Sequence, residues 1–390
     1  MLGLTAAQIQ AGGAYWTARE ITQQPLLWPE VERRVTADEQ LAGFLAPLLA
    51  DAGLRVVLTG AGTSSFIGEC LAPALARSGA ARAAAIASTD IVSCPESSLA
   101  PRTPTLMVHF ARSGNSPESV AALELGEDRV QRCAHLIVTC NAEGNLYRRA
   151  GTMRNAYALL LPEASNDQSF AMTSSFTSML LAAAGALRLM PTDGTRSARL
   201  SRLAMHVLTS WLPLITSLVH AQFERVVYLG SNELKGLARE AALKMLELTD
   251  GRVVSLADAP LGFRHGPKTI LNGNTLVVVF LSNDAHTRRY DLDLLAELRR
   301  DHVAGRVIAL SSQADDSHPD TVALSDSPGT DQGPAALSDL ELCLPYVVFA
   351  QTLATLRSLS LGVSPDKPNS TGTVNRVVQG VRIYPHGATR

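Results

Sequence analysis

Three ionisable side chains in the second half of the chain have the types and spacing of an acid–base site. Glu240, Lys244 and Glu247 lie in the run LAREAALKMLEL, at positions i, i+4 and i+7 of a predicted helix. At about 100° per residue, they fall on one face of that helix within roughly 60°. Two carboxylates beside an ammonium group can transfer protons if this face borders a cleft, whereas on an open surface they form an ordinary solvated Glu–Lys pair. The small and apolar residues on the other faces favour the cleft.

A histidine follows this helix in an irregular segment. His265 lies in the sequence FRHGPK, between Arg264 and the pair Gly266-Pro267. A lone loop histidine is often structural, but an ordinary imidazole pKa of about 6.5 also suits proton transfer near neutral pH. His265 therefore joins the three helix residues as a predicted acid–base group.

Loops rich in serine and glycine in the first half have the features of a phosphate site. The segment ARSGNSPES follows an apolar run, and Ser116 followed by proline is a typical helix start. A helix N-terminus offers N–H groups and the positive end of the helix dipole, while Ser113 adds a hydroxyl and Gly114 lets the backbone approach a ligand. The loop GAGTSSF supplies Thr63 and Ser64.

The type of ligand is narrowed by what these loops lack. Neither matches a Walker A sequence or the G-x-G-x-x-G fingerprint, so a phosphorylated metabolite is favoured over a nucleotide. A tight strand-to-helix turn remains the alternative for either loop alone, because serine and glycine are common turn residues. The corresponding loop of the second half, LSNDAHTRR, lacks the signature, so one phosphate site per chain is predicted.

The elements that must position these residues occur twice. The apolar runs that begin at residues 55, 106 and 136 return 170 or 171 residues later. Each run is rich in β-branched residues and ends in small or polar ones, which is typical of buried parallel strands. The pattern predicts a duplicated α/β domain, with helices over 178–189 and 198–220 between the copies.

The predicted organisation has four parts. They are a helical arm (1–50), a first domain with connecting helices (51–220), a second domain (221–364) and a tail over the active site (365–390). Thr17 and Glu20 in the arm have the spacing of a capping box. In the tail, Val377–Tyr384 is predicted to form a strand.

The composition limits the possible classes of protein. Hydrophobic residues make up 46% of the 390 residues and charged residues 18%, which is enough for two domains with large cores. A net charge of −2 without blocks of Lys or Arg argues against binding to nucleic acid or to a membrane surface. Five cysteines without a C-x-x-C pair indicate reduced thiols in a cytoplasmic protein and no zinc site. No signal peptide is visible, and the longest apolar stretch, Met179–Leu187, is too short to span a membrane.

Taken together, the motifs resemble a known family. GAGTSS, the SGNS loop, the E-x-x-x-K-x-x-E helix and RHGP resemble the tandem sugar-isomerase (SIS) domains, as in the isomerase half of glucosamine-6-phosphate synthase. FAMTSS and YDLDLLAELRRD are similar to segments of the bacterial galactosamine-6-phosphate deaminases/isomerases. The resemblance covers Trp16–Tyr384. It implies two tandem SIS domains, each a three-layer αβα sandwich with a mainly parallel, flavodoxin-like sheet.

The resemblance also implies roles for individual residues. Ser64, Ser113 and Ser116 correspond to phosphate-binding residues, helped by the backbone around Arg112. Thr173 lies in the segment that lines the sugar site. Arg376 stands where the synthase has a C-terminal lysine.

The acid–base residues correspond to catalytic groups of the family. Glu247 matches the carboxylate that moves a proton between C1 and C2. Glu240, Lys244 and His265 match groups used in ring opening and in proton transfer to hydroxyl or amine. In the family this histidine comes from the neighbouring subunit, which implies a homodimer with a shared active site.

These correspondences predict a deaminating isomerase. It would convert D-galactosamine 6-phosphate and water to D-tagatose 6-phosphate and ammonium, without a metal or an organic cofactor. Two alternatives stay open: a ketose/aldose isomerase acting on tagatose 6-phosphate or a related neutral sugar phosphate, and a sugar-phosphate-binding regulator without catalysis. The choice between galacto and gluco configuration at C4 is also open.

Overall fold

The computed structural model describes residues 1–79, 82–313, 320–324, 337–369, 371–378 and 380–385. Its residues form two compact units that are interleaved along the chain. The first-sheet unit comprises Val31–Asn166, Ser178–Leu189 and Thr371–Arg390. The second-sheet unit comprises Met1–Glu30, Asp167–Thr177 and Met190–Ser370. The predicted domains, with boundaries after residues 50, 220 and 364, are continuous stretches of sequence, unlike these units. Their boundaries stay a prediction.

The strands of the described residues fall into two sheets. They are β1 (Arg55–Thr59), β2 (Arg82–Ala85), β3 (Thr105–Ala111), β4 (Cys133–Thr139), β5 (Ala156–Leu160), β6 (Arg225–Gly230), β7 (Val254–Asp258), β8 (Thr275–Phe280), β9 (Arg306–Ser311) and β10 (Thr321–Ala323). The order is β2-β1-β3-β4-β5 in one sheet and β10-β9-β8-β6-β7 in the other, and the neighbouring strands are parallel. Read from its own first strand, each sheet has the flavodoxin-like order 2-1-3-4-5.

Helices connect and cover these strands. They are α1 (Ala6–Gly12), α2 (Tyr15–Ala37), α3 (Glu39–Leu49), α4 (Thr63–Ser78), α5 (Ser88–Ser93), α6 (Pro95–Ser98), α7 (Pro117–Arg129), α8 (Asn145–Ala150), α9 (Ser174–Ala186), α10 (Thr195–Thr209), α11 (Leu212–His220), α12 (Glu233–Leu248), α13 (Pro260–Phe263), α14 (Ala285–Asp301) and α15 (Asp339–Ser360). Short 3₁₀ turns occupy Glu163–Ser165 and Pro267–Ile270.

The first sheet is buried as a parallel sheet should be. All seven residues of β3 are buried, which requires covering layers on both of its faces. Met107 of β3 packs with Ile91 of α5 and Ala122 of α7. Further along the sheet, Ile137 of β4 packs with Leu146 of α8.

The second sheet has one long buried helix beside it. α15 packs against α12, α10 and α11, and its residues from Asp339 to Ser358 are all buried. It is long and apolar enough to cross a membrane by length and composition, but 94% of its apolar window is buried inside the protein, as in a core helix. Tyr346 of α15 stacks on Phe280 of β8, which stacks on Tyr228 of β6, with ring centroids 5.7 and 6.0 Å apart.

The predicted fold class is confirmed, and several local predictions are wrong. Thr17 and Glu20 do not form a capping box, because both lie inside α2, where the Thr17 hydroxyl donates to Asp366 at 2.7 Å. The described residues of the predicted strand Val377–Tyr384 form no strand. The helix predicted over 198–220 is two helices, α10 and α11; Pro213, in the first turn of α11, lacks the N–H group that would bond to the carbonyl of Thr209 in a continuous helix.

Candidate active site

The acid–base residues lie on α12, which follows β6 through a tight turn. A Cβ atom on Gly230 would lie 2.3 Å from the carbonyl oxygen of Leu234, so only glycine lets the helix start this close to the strand end. The helix packs against β6, β7 and α15. This packing explains why most of its faces carry small or apolar residues.

Glu240, Lys244 and Glu247 share one face of α12, as predicted. The Lys244 Nζ atom lies 3.5 Å from Oε1 of Glu240 and donates a hydrogen bond to Oε2 of Glu247. Lys244 and Glu240 are completely buried, whereas the Glu247 side chain is 24% exposed. The face is therefore not a solvated surface. Of the three groups, Glu247 is the one that a substrate can reach.

The charge balance of this triad is unusual for buried groups. One ammonium group faces two carboxylates, and burying an ionic group is tolerated only when opposite charge is close. Lys244 therefore holds both carboxylates in place.

His265 projects from a turn that is anchored on both sides. It lies between α13 and the 3₁₀ turn that starts at Pro267, and its backbone N–H donates to the carbonyl of Gly262 at 2.9 Å. Arg264 pairs with Glu297 of α14 at 2.8 Å, and Lys268 pairs with the same carboxylate. This hydrogen bond from Lys268 lowers the pKa of Glu297.

The imidazole itself is exposed. Within the described part of the chain, no hydrogen bond or ion pair joins the His265 side chain to another residue. The structure therefore brings three of the four predicted catalytic residues together and leaves His265 outside their hydrogen-bonded group.

The loop after β1 is a tight turn of the predicted kind. A Cβ atom on Gly60 would lie 2.5 Å from Cβ of Ser64 and 2.7 Å from its carbonyl carbon, so the first turn of α4 lies directly against the strand end. Thr63 begins α4, and Thr63 and Ser64 are both buried. The backbone N–H of Ser64 donates to the carbonyl of Ala61 at 3.1 Å.

The loop after β3 also follows the prediction in its main features. Ser116 is the N-cap of α7 with Pro117 behind it, but its side chain donates to Glu118 at 2.7 Å and does not cap the helix. Gly114 has a positive φ of 68°. The Ser113 hydroxyl accepts the N–H of Asn115 at 3.3 Å.

Sequence reasoning missed the residues that brace this loop. Asn141, which follows β4, donates through its side chain to the carbonyl of Ser113 at 2.8 Å. A Cβ atom on Gly144 would lie 2.6 Å from the same carbonyl oxygen. The polar run CNAEGN at the end of β4 is the signal that could have indicated a third loop at this edge.

Arg112 and Arg376 are joined, although neither was paired from sequence. A guanidinium nitrogen of Arg112 donates to the backbone carbonyl of Arg376 at 2.9 Å. Arg112 is buried and Arg376 is exposed. The tail thus contacts the phosphate-loop residue through its backbone.

Thr173 lies at the start of α9, in the second-sheet unit. It is completely buried, and its N–H and hydroxyl donate to the Asp167 carboxylate at 2.7 and 3.3 Å. Asp167 was missed from sequence because an aspartate in a polar, Ser/Thr-rich connection has no distinctive spacing.

The second sheet has a different chemistry at the ends of its strands. Ser231 after β6 donates to Asp291 at 2.7 Å, and Ser282 after β8 donates to Asp339 at 2.5 Å. Burial raises the pKa of Asp291 and raises that of Asp339 to about 6. Carboxylates at these strand ends would repel a phosphate dianion, and the presence of one phosphate site per chain stays a prediction.

Among the described residues, Glu127, Cys133 and His135 form one cluster of potential metal ligands, with ligand atoms within 4.8 Å of one another. His135 is hydrogen-bonded to Glu127 at 2.9 Å and to His109 at 3.0 Å, and Asn155 donates to Glu127 at 2.7 Å. Burial, together with the charge of Glu127, raises the pKa of Cys133 to about 12 and so favours the protonated thiol. The three residues therefore belong to a hydrogen-bonded network within the first-sheet unit.

Comparison with known proteins places this chain in a family. The SIS domain family model matches residues 48–187, which include the first sheet. The AgaS protein of Streptomyces coelicolor is 48% identical over 378 residues, which cover 95% of this chain and 96% of that protein. The chain belongs to the AgaS family of SIS-domain proteins.

A second relative and a solved structure extend the match. The D-galactosamine-6-phosphate deaminase AgaS of a Shewanella species is 44% identical over 385 residues, 98% of this chain and 95% of that one. The crystal structure of tagatose-6-phosphate ketose/aldose isomerase from Escherichia coli superposes with a TM-score of 0.87 at 42% identity, covering 96% of this chain and 97% of that chain. The predicted family is confirmed, whereas the roles of the individual site residues stay predictions.

Proposed function

We propose that the protein is a deaminating isomerase that converts D-galactosamine 6-phosphate and water to D-tagatose 6-phosphate and ammonium. The observation that carries this proposal is the buried Glu–Lys–Glu triad on α12, in a chain whose relatives of nearly the same length are named D-galactosamine-6-phosphate deaminase. Such a reaction needs a base at a C–H bond and no electron acceptor, because a carbonyl group at C1 acidifies the proton on C2.

The substrate phosphate binds at the serine loops of the first sheet. Ser64, Ser113 and Ser116 supply hydroxyl groups, and Thr63 and Gly114 supply backbone N–H groups. Two features support this assignment. The side chain of Ser116 does not cap α7, so its hydroxyl occupies none of the N–H donors at the positive end of that helix dipole, where an anion is stabilised. The close approaches at Gly60 and Gly144 fix both loops at the strand ends.

Proton transfer is the task of Glu247. After ring opening, to which His265 contributes, its carboxylate removes the proton from C2 to give an enolamine. It then returns a proton to C1, which leaves an imine at C2. Water hydrolyses this imine to the ketose and ammonia, which leaves as ammonium. Glu247 is suited to this work because it is the exposed end of a triad whose other members are buried.

The two buried groups act behind Glu247. Lys244 orients its carboxylate and stabilises negative charge that develops on the sugar oxygen. Glu240, which is completely buried and 3.5 Å from Lys244, holds that ammonium group in place. The role of Glu240 in ring opening, which the resemblance implies, stays a prediction, and in this proposal Glu240 exerts it through Lys244.

Other elements of the proposal concern the surroundings of the reaction. The segment around Thr173 lines the sugar, and Arg376 in the tail borders it. The exposed, anchored His265 acts across a homodimer in which it serves the neighbouring subunit. The enzyme works in the cytoplasm, in the catabolism of N-acetylgalactosamine, without nucleic-acid or membrane partners.

Ammonium release tests the proposal. We expect the wild-type protein to release ammonium from galactosamine 6-phosphate, and Glu247→Gln to lower kcat by about 10²–10⁴. Glu124→Gln is the control, because it removes a surface carboxylate that is paired with Arg149 at 2.8 Å and should keep wild-type turnover. Wild-type turnover by Glu247→Gln would contradict the role of Glu247.

The same assay decides the alternatives. Glucosamine 6-phosphate tests the configuration at C4, and tagatose 6-phosphate without ammonium tests plain aldose–ketose isomerisation. The second reaction is favoured by the name of the Escherichia coli structure. Interconversion of neutral sugar phosphates without any ammonium release would replace the proposed deaminase by an isomerase.

A further inference from the structure

Two buried carboxylates hold one irregular segment of the second-sheet unit. The segment, residues 167–175, joins the 3₁₀ turn Glu163–Ser165 to the first residues of α9. Up to Thr173 its side chains alternate. Those at odd positions are buried, and those at even positions, Gln168, Phe170 and Met172, are exposed or half-buried.

Asp167 receives most of the hydrogen bonds of this segment. Its carboxylate accepts the backbone N–H groups of Thr173, Ser174 and Ser175 at 2.7, 3.2 and 2.9 Å. It also accepts the hydroxyl groups of the same three residues. The first N–H groups of a helix have no partner within the helix, and here one buried carboxylate supplies it for the start of α9.

Glu20 of α2 holds the middle of the segment. Its carboxylate accepts the N–H groups of Gln168 and Ser169 at 2.5 and 3.2 Å, together with the Ser169 hydroxyl. Glu20 and Asp167 are both buried, and the charge of Asp167 acts on Glu20. Burying two like charges near each other costs stability, so this arrangement is an expensive way to fix a loop.

The hydrogen bonds also restrict which side chains can contact a ligand. The Thr173 hydroxyl donates to Asp167 and the residue is completely buried. Ser174 and Ser175 are buried in the same way. The groups of this segment that a ligand can reach are therefore the side chains at 168, 170 and 172.

We propose that Glu20 and Asp167 are positioning residues, which fix residues 167–175 so that Gln168, Phe170 and Met172 present one surface to the sugar. This inference rests on the proposed function, in which the segment lines the sugar. In this arrangement the sugar contacts Gln168, Phe170 and Met172 and does not contact the Thr173 side chain. The Gln168 amide can hydrogen-bond to a sugar hydroxyl, and the two apolar side chains can pack on the sugar ring. Neither carboxylate touches substrate.

Replacing the carboxylates separates positioning from folding. Asp167→Asn keeps the shape but offers one acceptor oxygen and turns an NH₂ group towards N–H donors. We expect kcat/KM for the amino sugar phosphate to fall by about 10- to 100-fold, since a small displacement of a positioning element has effects of this size. Inhibition by inorganic phosphate should keep its wild-type constant, because the phosphate binds at the serine loops.

The Glu20 variants supply a rescue test if Asp167→Asn does not fold. Glu20→Ala removes every acceptor and should also lower kcat/KM, whereas Glu20→Gln keeps an oxygen for the two N–H groups and should restore most of it. Asp339→Asn is the matched control, because it also replaces a buried carboxylate that fixes a loop, through Ser282 and Asn283. It should cost stability and leave kcat/KM within about threefold for the folded protein.

Two results would overturn the inference. One is wild-type kcat/KM in folded Glu20→Ala together with wild-type kcat/KM in any folded Asp167→Asn. The other is a loss of kcat/KM that Asp339→Asn reproduces, or one that is accompanied by an equal weakening of inhibition by inorganic phosphate. Calorimetric affinities for tagatose 6-phosphate and for phosphate are compared in the same variants. If the wild-type protein is inactive on every sugar phosphate, the proposed function is refuted. The ratio of the affinity for tagatose 6-phosphate to the affinity for phosphate, compared between wild type and variants, still tests the positioning role.

Discussion

The buried carboxylate of Glu20 should make the stability of the protein depend on pH in a defined direction. Burial raises its pKa from 4.5 to about 7, the charge of Asp167 adds to this, and hydrogen bonds from Ser169 and Gln168 oppose it. In the unfolded chain the pKa returns to its ordinary value. Between these two values the folded protein binds the proton more tightly, so the free energy of unfolding must fall as pH rises.

The magnitude follows from the shift. A rise of about 2.5 units at about 1.36 kcal/mol per unit is worth about 3 kcal/mol. This stability is fully present below pH 4.5 and is lost progressively up to about pH 7. Glu20→Gln cannot titrate. The free energy of unfolding of the variant, minus that of the wild type, should therefore increase by about 3 kcal/mol between pH 4.5 and pH 8.

Denaturant unfolding of both proteins at several pH values measures this difference. The other titrating groups are common to both chains, so they cancel to a good approximation. Hydrogen exchange at the amides of Gln168 and Ser169 reports the same change locally, because these amides donate to Glu20. A difference that stays constant between pH 4.5 and 8, or that falls, would refute the claim that this carboxylate is buried beside Asp167.

Three further outcomes are expected. Lys244→Met should lower the free energy of unfolding by about 3–5 kcal/mol, because it leaves two carboxylates without the buried ammonium that pairs with them; denaturant titration measures the loss, and an unchanged free energy would contradict the pairing. Gly60→Ala should weaken competitive inhibition by inorganic phosphate, since the new methyl group meets Ser64, whereas Gly43→Ala, with open space at its Cβ, should leave the inhibition constant unchanged. Trp28→Phe should lower the melting temperature without changing KM, because the indole is completely buried and donates to Thr177 at 3.1 Å; an unchanged melting temperature would contradict this packing.

The sequence predicted those parts of the molecule that depend on local patterns. Buried parallel strands are apolar and β-branched, so the repeated runs identified three strands of each sheet, whereas the flavodoxin-like sheet was implied by the family resemblance. Ser116 with Pro117 located the start of α7 because capping acts over a few residues. The spacing of Glu240, Lys244 and Glu247 gave the triad for the same reason, since it follows from the period of one helix.

What the sequence did not reveal depends on contacts between distant residues. Glu20 and Ser169 are hydrogen-bonded across a separation of 149 residues, and Thr17 and Asp366 across 349. No periodicity encodes such a pair. Thr17 and Glu20 matched the capping-box pattern, but the pattern does not reveal whether the helix has already begun, and α2 begins two residues earlier, at Tyr15.

The duplicated fold itself explains why the two copies can divide the chemistry. The strand order is the same in both sheets, so each presents loops at the carboxyl ends of its strands, where an open α/β sheet binds ligands. In the first copy, glycines let these loops approach one another closely, and serine hydroxyls lie near the start of α7. In the second copy, Asp291 and Asp339 occupy the corresponding ends and bind the local serines. A dianion at that edge would be repelled by them. In the proposed reaction the second copy instead acts through the helix after its first strand, where Gly230 brings α12 against the sheet and burial can hold Lys244 between two carboxylates. The proposed reaction therefore assigns phosphate binding to the serine loops of the first copy and proton transfer to the helix face of the second.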